Sequence, residues 1–156
     1  MLKLERFTKK AVDELSLGSR AVKAGTVAGI AVTVCILLLC AIMLCVGSIA
    51  YTFEDAALQI HTSFWKDQTV PYDSIVQAEL REDMEIGKRD FGYGSWKLNL
   101  GGFQNDEFDE YTLYAYAKCN TLVVLHLKNH AILVIGGEDP AASEALYEEI
   151  CRITGL

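Results

Sequence analysis

One uncharged run, from Ala24 to Phe53, constrains this chain more than any other feature. Its centre is the segment Val27 to Ala50, VAGIAVTVCILLLCAIMLCVGSIA. A helix rises about 1.5 Å per residue, so this run exceeds the length needed to cross a hydrocarbon core of about 30 Å. The sequence therefore predicts a single transmembrane helix at residues 24–52, which would make the lipid bilayer a partner of the chain.

The residues that flank this run predict its orientation, because Lys and Arg are retained on the cytoplasmic side. Residues 1–23 hold six basic and three acidic residues, a net charge of +3, whereas Glu54 and Asp55 follow the run directly. We expect a single-pass protein of the plasma membrane, with its N-terminus in the cytoplasm and its C-terminal domain outside. Four apolar residues at helical spacing make the basic segment either an amphipathic helix on the inner leaflet or a frayed tail: Leu4, Phe7, Ala11 and Leu15.

Two other interpretations of the apolar run are weaker. Ser48 and Ala50 supply small residues for a signal peptidase, but the run is longer than the roughly 7 to 15 residues of a signal-peptide core. A lipoprotein signal would need a small residue before the modified cysteine, and leucine precedes both Cys40 and Cys45.

The region after the run is strongly acidic. Residues 51–156 hold 8 basic and 18 acidic residues, a net charge of −10. A surface of this sign repels nucleic acid and anionic lipid headgroups, so we expect neither nucleic acid nor a phosphoinositide as a partner. The region is long enough for one core, and no Pro-rich or Ser-rich linker divides it, so we count one domain at residues 53–156.

The cysteines add little to the functional interpretation. Three cysteines lie inside the apolar run, where a thiol needs no special role: Cys35, Cys40 and Cys45. Cys119 and Cys151 lie in the domain. Two free thiols, buried in the core, are the favoured interpretation, and a disulfide in an oxidising compartment is the alternative.

The acidic region has the pattern of an α+β fold with about seven antiparallel strands and a C-terminal helix. Residues 81–90 are charged and are predicted as a loop. Asp139 and Pro140 suit the first positions of a helix whose apolar stripe includes Ile150. The strands are predicted from alternating or apolar stretches at 57–63, 64–70, 76–80, 96–100, 111–118, 121–128 and 131–135, with hairpin turns at 119–120 and 129–130.

Three stretches carry a resemblance to a known family: VPYDSI, RDFGYGSWKLNLGGF and GGEDPAASEALYEEI. Residues 53–154 resemble the bacterial pleckstrin-homology-like (PH-like) domains that are often attached to membrane spans. The resemblance implies a bent barrel or sandwich with a C-terminal helix at one end. It also implies binding of a peptide, protein or lipid without specifying which, because a fold does not dictate its ligand.

The middle stretch supplies the candidate binding residues, which are Arg89, Tyr93 and Trp96. Glycines and aromatic residues cluster around them. In such a pattern, glycine allows the backbone to turn or to approach another segment closely, and the aromatic rings cover the backbone. Arg89 either holds a ligand carboxylate or pairs with a neighbouring acid, Glu85 or Asp90. The second interpretation is favoured, because most charged residues form solvated surface.

Catalytic and metal-binding patterns fail. His126 and His130 have a spacing that suits zinc on a helix, but they lie in a predicted strand and turn without a third ligand. The acidic stretch 105–110 lacks the spaced oxygen ligands of a calcium loop. The sequence predicts no enzyme, no metal and no cofactor.

Small residues inside the apolar run suggest a helix contact. Gly25 and Gly29 form a GxxxG pair, and Thr33 continues it at the next helical step. The partner would be a second copy of this chain or another membrane protein. Two functions follow: a membrane-anchored module that binds a protein or peptide at the membrane surface, or an accessory subunit that contacts a transport or signalling complex through its transmembrane helix.

Overall fold

The computed structural model describes residues 26, 29–42 and 44–156. The chain divides into two units, with the boundary after Ile42. In the first unit, residues 29–42 form helix α1, and all of them are exposed. Within the described part of the chain, no helix is both long enough and apolar enough to cross a membrane. The predicted basic segment 1–23, and positions 24, 25, 27, 28 and 43 of the predicted span, lie outside the described residues.

The second unit contains the α+β domain, with two sheets, a 3₁₀ turn at Tyr72–Ser74 and a C-terminal helix. Nine strands are found in the described residues, compared with about seven predicted. The elements are β1 (Ile49–Phe53), β2 (Ala57–Thr62), β3 (Gln68–Pro71), β4 (Ile75–Glu82), β5 (Lys88–Gly94), β6 (Leu98–Asn105), β7 (Asp109–Tyr116), β8 (Thr121–Leu127), β9 (Ile132–Ile135) and α2 (Pro140–Thr154).

Two strands lie where none was predicted. β1 begins at Ile49 and so includes the last four positions of the predicted span. It was not predicted as a strand, because its uncharged residues continue the composition of the run before it. β5 occupies residues that were partly predicted as a charged loop. Strand β5 is an edge strand with exposed charged residues, so it lacks the apolar alternation by which a half-buried strand is detected.

The strands form a three-stranded sheet in the order β1-β2-β3 and a six-stranded sheet in the order β4-β8-β9-β7-β6-β5. The predicted hairpin between β7 and β8 is wrong, because β9 lies between them and pairs parallel with β7. The purely antiparallel fold predicted from the sequence is corrected accordingly. Strand β9 reads ILVI and is apolar on both faces, which suits a central strand covered on both sides.

Two apolar clusters cover the two faces of the six-stranded sheet. The inner face packs against the three-stranded sheet and α2, through residues such as Leu100, Val123 and Ile150. The outer face carries Leu113 and Val134, and it is covered in part by the connection between β4 and β5. Burial on both faces explains why residues 98–135 are so rich in apolar side chains.

Helix α2 begins as the sequence predicts. The Asp139 carboxylate accepts a hydrogen bond from the amide of Ala142 at 2.8 Å, and Pro140 occupies the first turn. Leu146 and Ile150 are buried, and Gly155 ends the helix in a left-handed conformation. The helix is thereby fixed against the inner face of the six-stranded sheet.

Candidate functional site

The three candidate residues from the sequence do not form one site. Arg89 pairs with Phe103, which belongs to the outer cluster, whereas Tyr93 pairs with Leu100 of the inner cluster. Arg89 and Tyr93 therefore point to opposite faces of the six-stranded sheet. Trp96 lies beyond both, in the turn between β5 and β6.

Arg89 is held by groups of the domain itself. Its Nη2 donates to Asn99 Oδ1 at 2.7 Å, and its guanidinium lies 5.2 Å from the centre of the Phe103 ring. Gly94 leaves room for it, since a Cβ atom there would collide with the Arg89 guanidinium. Neither predicted acid pairs with Arg89 among the described residues, and Asp90 accepts a hydrogen bond from Gln104 instead.

The inner side of β5 is partly covered by the turn between β2 and β3. The rings of Phe64 and Tyr93 lie 5.2 Å apart, and those of Trp65 and Phe91 lie 6.3 Å apart. Aromatic pairs at such distances stabilise the contact beyond their buried area. This side of β5 is thus occupied by Phe91 and by Tyr93, one of the three candidate binding residues, which pack on aromatic rings of the domain itself.

A second edge strand is open. A groove of about 400 Å³ lies between β1 and α2. Its residues are mostly apolar or small, and they come from β1, the end of β7, the chain before α2 and one side of the helix: Ile49, Tyr51, Phe53, Tyr116, Gly137, Glu138, Ala142, Ala145 and Leu146. Ala142 and Ala145 leave space for the groove, because they place only methyl groups on its helix side.

The backbone of β1 offers hydrogen bonds toward this groove. The carbonyl of Ser48 accepts a hydrogen bond from the amide of Ser63. In the antiparallel register, Ala50 and Thr52 are therefore the residues of β1 whose main-chain groups bond to β2. The alternate residues direct their N–H and C=O groups away from β2. Those of Ile49 bond the Tyr116 hydroxyl at 3.1 and 3.3 Å.

The outward main-chain groups of Tyr51 and Phe53 differ from those of Ile49. Their outward main-chain groups make no hydrogen bond within the described residues. An edge of this kind is a template for another strand, since each unpaired N–H and C=O can bond an extended chain. The arrangement can therefore accept an extended segment beside β1, with its side chains directed into the groove.

The floor of the groove is fixed by buried hydroxyl groups. Tyr51 Oη donates to the carbonyl of Gly136 at 2.8 Å or to that of Tyr114 at 3.0 Å, and accepts from the Gly136 amide at 3.3 Å. Burial raises the pKa of Tyr51 far above its usual value, although the bond to Gly136 works in the opposite direction. Tyr51 is therefore a neutral anchor that connects β1 to the six-stranded sheet.

The wall formed by α2 is held by a small buried network. Ser143 is fully buried, and its Oγ accepts from the Gly137 amide at 2.9 Å. Cys119 Sγ lies 3.5 Å from the same oxygen and also donates to the Thr121 carbonyl at 3.3 Å. Cys119 and Cys151 are both free thiols, as the favoured interpretation predicted, but only Cys119 is buried and Cys151 is partly exposed. These contacts set the distance between α2 and the sheet.

Sequence reasoning missed the groove because it assigned β1 to the membrane span. The signal was present: Gly47 and Ser48 interrupt the aliphatic run, and Ile49, Tyr51 and Phe53 then alternate with smaller residues. Such alternation is typical of a half-buried strand.

Comparison with known proteins agrees with this architecture. Residues 49–150, from the first strand to the end of the buried part of α2, match the family described as Bacterial PH domain. The chain belongs to the bacterial PH domain family. The match confirms the PH-like resemblance and places β1 inside the PH domain. No curated protein and no solved structure matches the chain.

The remaining candidate residues are not among those that line the PH domain groove. Thr33 Oγ1 donates to the Gly29 carbonyl at 3.0 Å in α1, and a Cβ atom at Gly29 would meet no described atom within 4 Å, while Gly25 lies outside the described residues. His126 Nε2 lies 3.4 Å from Glu79 Oε1 without hydrogen-bond geometry. Among the described residues, no group of three or more potential ligands is arranged to hold a metal ion.

Proposed function

We propose that this protein is a non-enzymatic, membrane-anchored PH domain that binds an extended peptide segment of a partner protein in the groove between β1 and α2. The observation that carries this proposal is the free main chain of Tyr51 and Phe53 beside an apolar groove. Main-chain hydrogen bonds would supply affinity, and the groove would select the side chains that point into it.

The other exposed edge of interest, β5, is less suited to this role. Its register shifts between Arg89 and Phe91, and a bulge of this kind twists an edge away from further pairing. Charged residues at its start, Lys88 to Asp90, also disfavour a new strand. β1 has neither feature, since its pairing with β2 is continuous from Ile49 to Phe53.

Charge around the groove indicates the chemistry of the segment. Glu54 and Asp55 follow β1 beside the groove, and Glu138 lines the groove, where its carboxylate lies 3.8 Å from Lys97 Nζ. The domain as a whole has a net charge of −10 over residues 51–156. An apolar segment with a basic residue at the end near Glu54 and Asp55 is favoured, because such a charge raises the rate of association and disfavours acidic competitors.

The anchor in this proposal is the apolar run at residues 24–52, shortened at its C-terminal end by β1. Its support is the sequence together with α1, whose aliphatic side chains are exposed; Leu37, for example, is 62 % exposed. The N-terminus would lie in the cytoplasm and the PH domain outside, as the basic residues before the run indicate.

A matched pair of variants tests the groove. A library of extended peptides is selected against the full-length chain in lipid nanodiscs, and binding is then measured for Ala145→Leu and Ala141→Leu. Both alanines are exposed on α2, but only Ala145 lines the groove. We expect Ala145→Leu to lose the selected peptides and Ala141→Leu to retain them. Equal binding by the two variants would contradict the proposal.

A second candidate function is supported by α1. The exposed Gly29 and the Thr33 hydroxyl, folded back onto the helix backbone, leave a small-residue surface that suits close helix packing. The chain would then be an accessory subunit that contacts another membrane protein, or a second copy of itself, through this helix. Co-purification with Gly25→Leu and Gly29→Leu tests this function, since only a helix contact would lose its partner.

A further inference from the structure

The turn between β5 and β6 carries the most exposed of the large apolar side chains in the described residues. Trp96 is 78 % exposed, although burial of an aromatic ring of this size is strongly favourable. It does not belong to the peptide groove, and nothing in the domain covers it. An indole in this position is typical of a site where one side is apolar and the other is aqueous.

Trp96 lies next to the place where the chain enters the domain. Trp96 and Cys45, one of the last helical residues before the domain, line the same cavity of about 330 Å³. Only Val46 separates Cys45 from Gly47, which is buried against Leu98 and Phe64. A Cβ atom at Gly47 would lie 2.8 Å from Leu98 Cδ1, so the entering chain is tightly packed onto the start of β6.

Ser48 fixes the same junction from the other side. Its amide donates to Ser63 Oγ at 3.1 Å, and its carbonyl accepts from the Ser63 amide at 3.2 Å. The connection from Cys45 to the domain is therefore short and held by packing and hydrogen bonds. If the apolar run crosses the bilayer, this end of the domain lies at the membrane surface.

Two lysines accompany the tryptophan. Lys97 and Lys118 line the cavity with Trp96, and Lys118 is exposed without an ion pair among the described residues. Lys97 Nζ lies 5.6 Å from the centre of the Tyr116 ring and 3.8 Å from a Glu138 carboxylate oxygen. This local cluster of two basic residues stands out in a domain whose net charge is −10.

We propose that Trp96, Lys97 and Lys118 form a lipid-contact patch, in which the indole enters the headgroup layer of the bilayer that holds the anchor and the lysines bind lipid phosphates. Trp is enriched at this depth, and Lys near an anionic surface is attracted to it. The patch would hold the domain in one orientation and keep the β1–α2 groove at a fixed height above the membrane.

This inference rests on the membrane anchor in the proposed function. It does not require the free domain to bind lipid, because the anchor supplies a high effective concentration of lipid at the patch. The overall negative charge of the domain would oppose capture of the free domain from solution. The appropriate sample is therefore the full-length chain in a bilayer.

The chain has two tryptophans, Trp65 and Trp96, which makes a direct test possible. Trp65→Phe leaves Trp96 as the sole tryptophan, and Trp96→Phe leaves Trp65, whose ring packs on Phe91. Each full-length variant is reconstituted into vesicles of phosphatidylcholine and phosphatidylglycerol with lipids brominated near the headgroup. Flotation of the vesicles measures anchoring, and fluorescence measures lipid contact.

We expect both variants to float with the vesicles. Trp96 should be blue-shifted, quenched by the brominated lipid and protected from aqueous iodide, whereas Trp65, whose indole nitrogen is buried in the domain, should not be quenched by the brominated lipid. Lys118→Glu should weaken this quenching, whereas Lys128→Glu, an exposed lysine just beyond the other end of β8, should not change it. Flotation with Trp96 still quenched by iodide would overturn the patch and leave the anchor intact. Failure to float would overturn the anchor and the patch together.

Discussion

Two tyrosines allow the same chemical change to be made with opposite expected effects on stability. Tyr51 Oη takes part in hydrogen bonds with Tyr114 and Gly136 beneath the groove. Tyr72 Oη is also buried, but it has no hydrogen-bond partner among the described residues. Replacement of each by phenylalanine removes one oxygen and leaves the ring.

The expected magnitudes follow from the hydrogen bonds. The Tyr114 carbonyl also accepts from the Gly136 amide, so Tyr51→Phe leaves chiefly the Gly136 carbonyl without a partner. Loss of a buried partner of this kind lowers the free energy of unfolding by about 1 to 3 kcal/mol. Tyr72→Phe should leave that free energy unchanged or raise it, because a buried hydroxyl without a hydrogen bond is unfavourable.

Urea denaturation of residues 46–156, followed by tryptophan fluorescence, measures both variants. An alkaline series adds a second readout, since the raised pKa of Tyr51 keeps it protonated in the folded state after the unfolded chain ionises near pH 10. Its contribution is fully present below that pH and is lost above it, at about 1.4 kcal/mol per pH unit. Tyr51→Phe should make the alkaline loss shallower by this amount. Equal destabilisation by the two variants would refute the reasoning.

Three further predictions concern the fold, the lipid and the topology. Ile150→Ala should lower the free energy of unfolding by about 2 to 5 kcal/mol, because this side chain is fully buried in the inner cluster; a urea titration that gives less than 1 kcal/mol would place α2 at the periphery. Vesicles of anionic lipid should show no salt-sensitive binding of residues 46–156, and binding that weakens with salt would mean that local basic residues outweigh the net charge of −10. A cysteine at the exposed Glu148, in a chain without other cysteines, should react with a membrane-impermeant reagent in intact cells; labelling only after lysis would reverse the orientation.

Much of the domain could be predicted because its signals are local. The capping residues of α2, Asp139 and Pro140, act within one turn of the helix and are visible in the sequence. The apolar stretches that became β7, β8 and β9 were also detected, since they are buried whichever neighbours they have. Their order in the sheet was not, because pairing of β9 with β7 is a contact between strands distant in sequence.

The candidate site shows the same limit. Arg89, Tyr93 and Trp96 stand close together in the sequence, but the side chains of successive residues in a strand alternate between faces, and a bulge after Arg89 changes the register. The groove draws its residues from β1, β7 and α2, so no single stretch of sequence contains it. Strand β1 was hidden because aliphatic residues serve equally in a membrane span and in a strand.

Hydrogen exchange of the main-chain amides in β1 tests the central claim most directly. A peptide selected against the full-length chain is added, and exchange is compared with and without it for Tyr51 and Phe53 and for the residues of β5. We predict that the amides of Tyr51 and Phe53 become protected, that β5 does not change, and that Ala145→Leu removes the protection. Protection along β5 with β1 unchanged would contradict the account and return the binding site to the edge that carries Arg89.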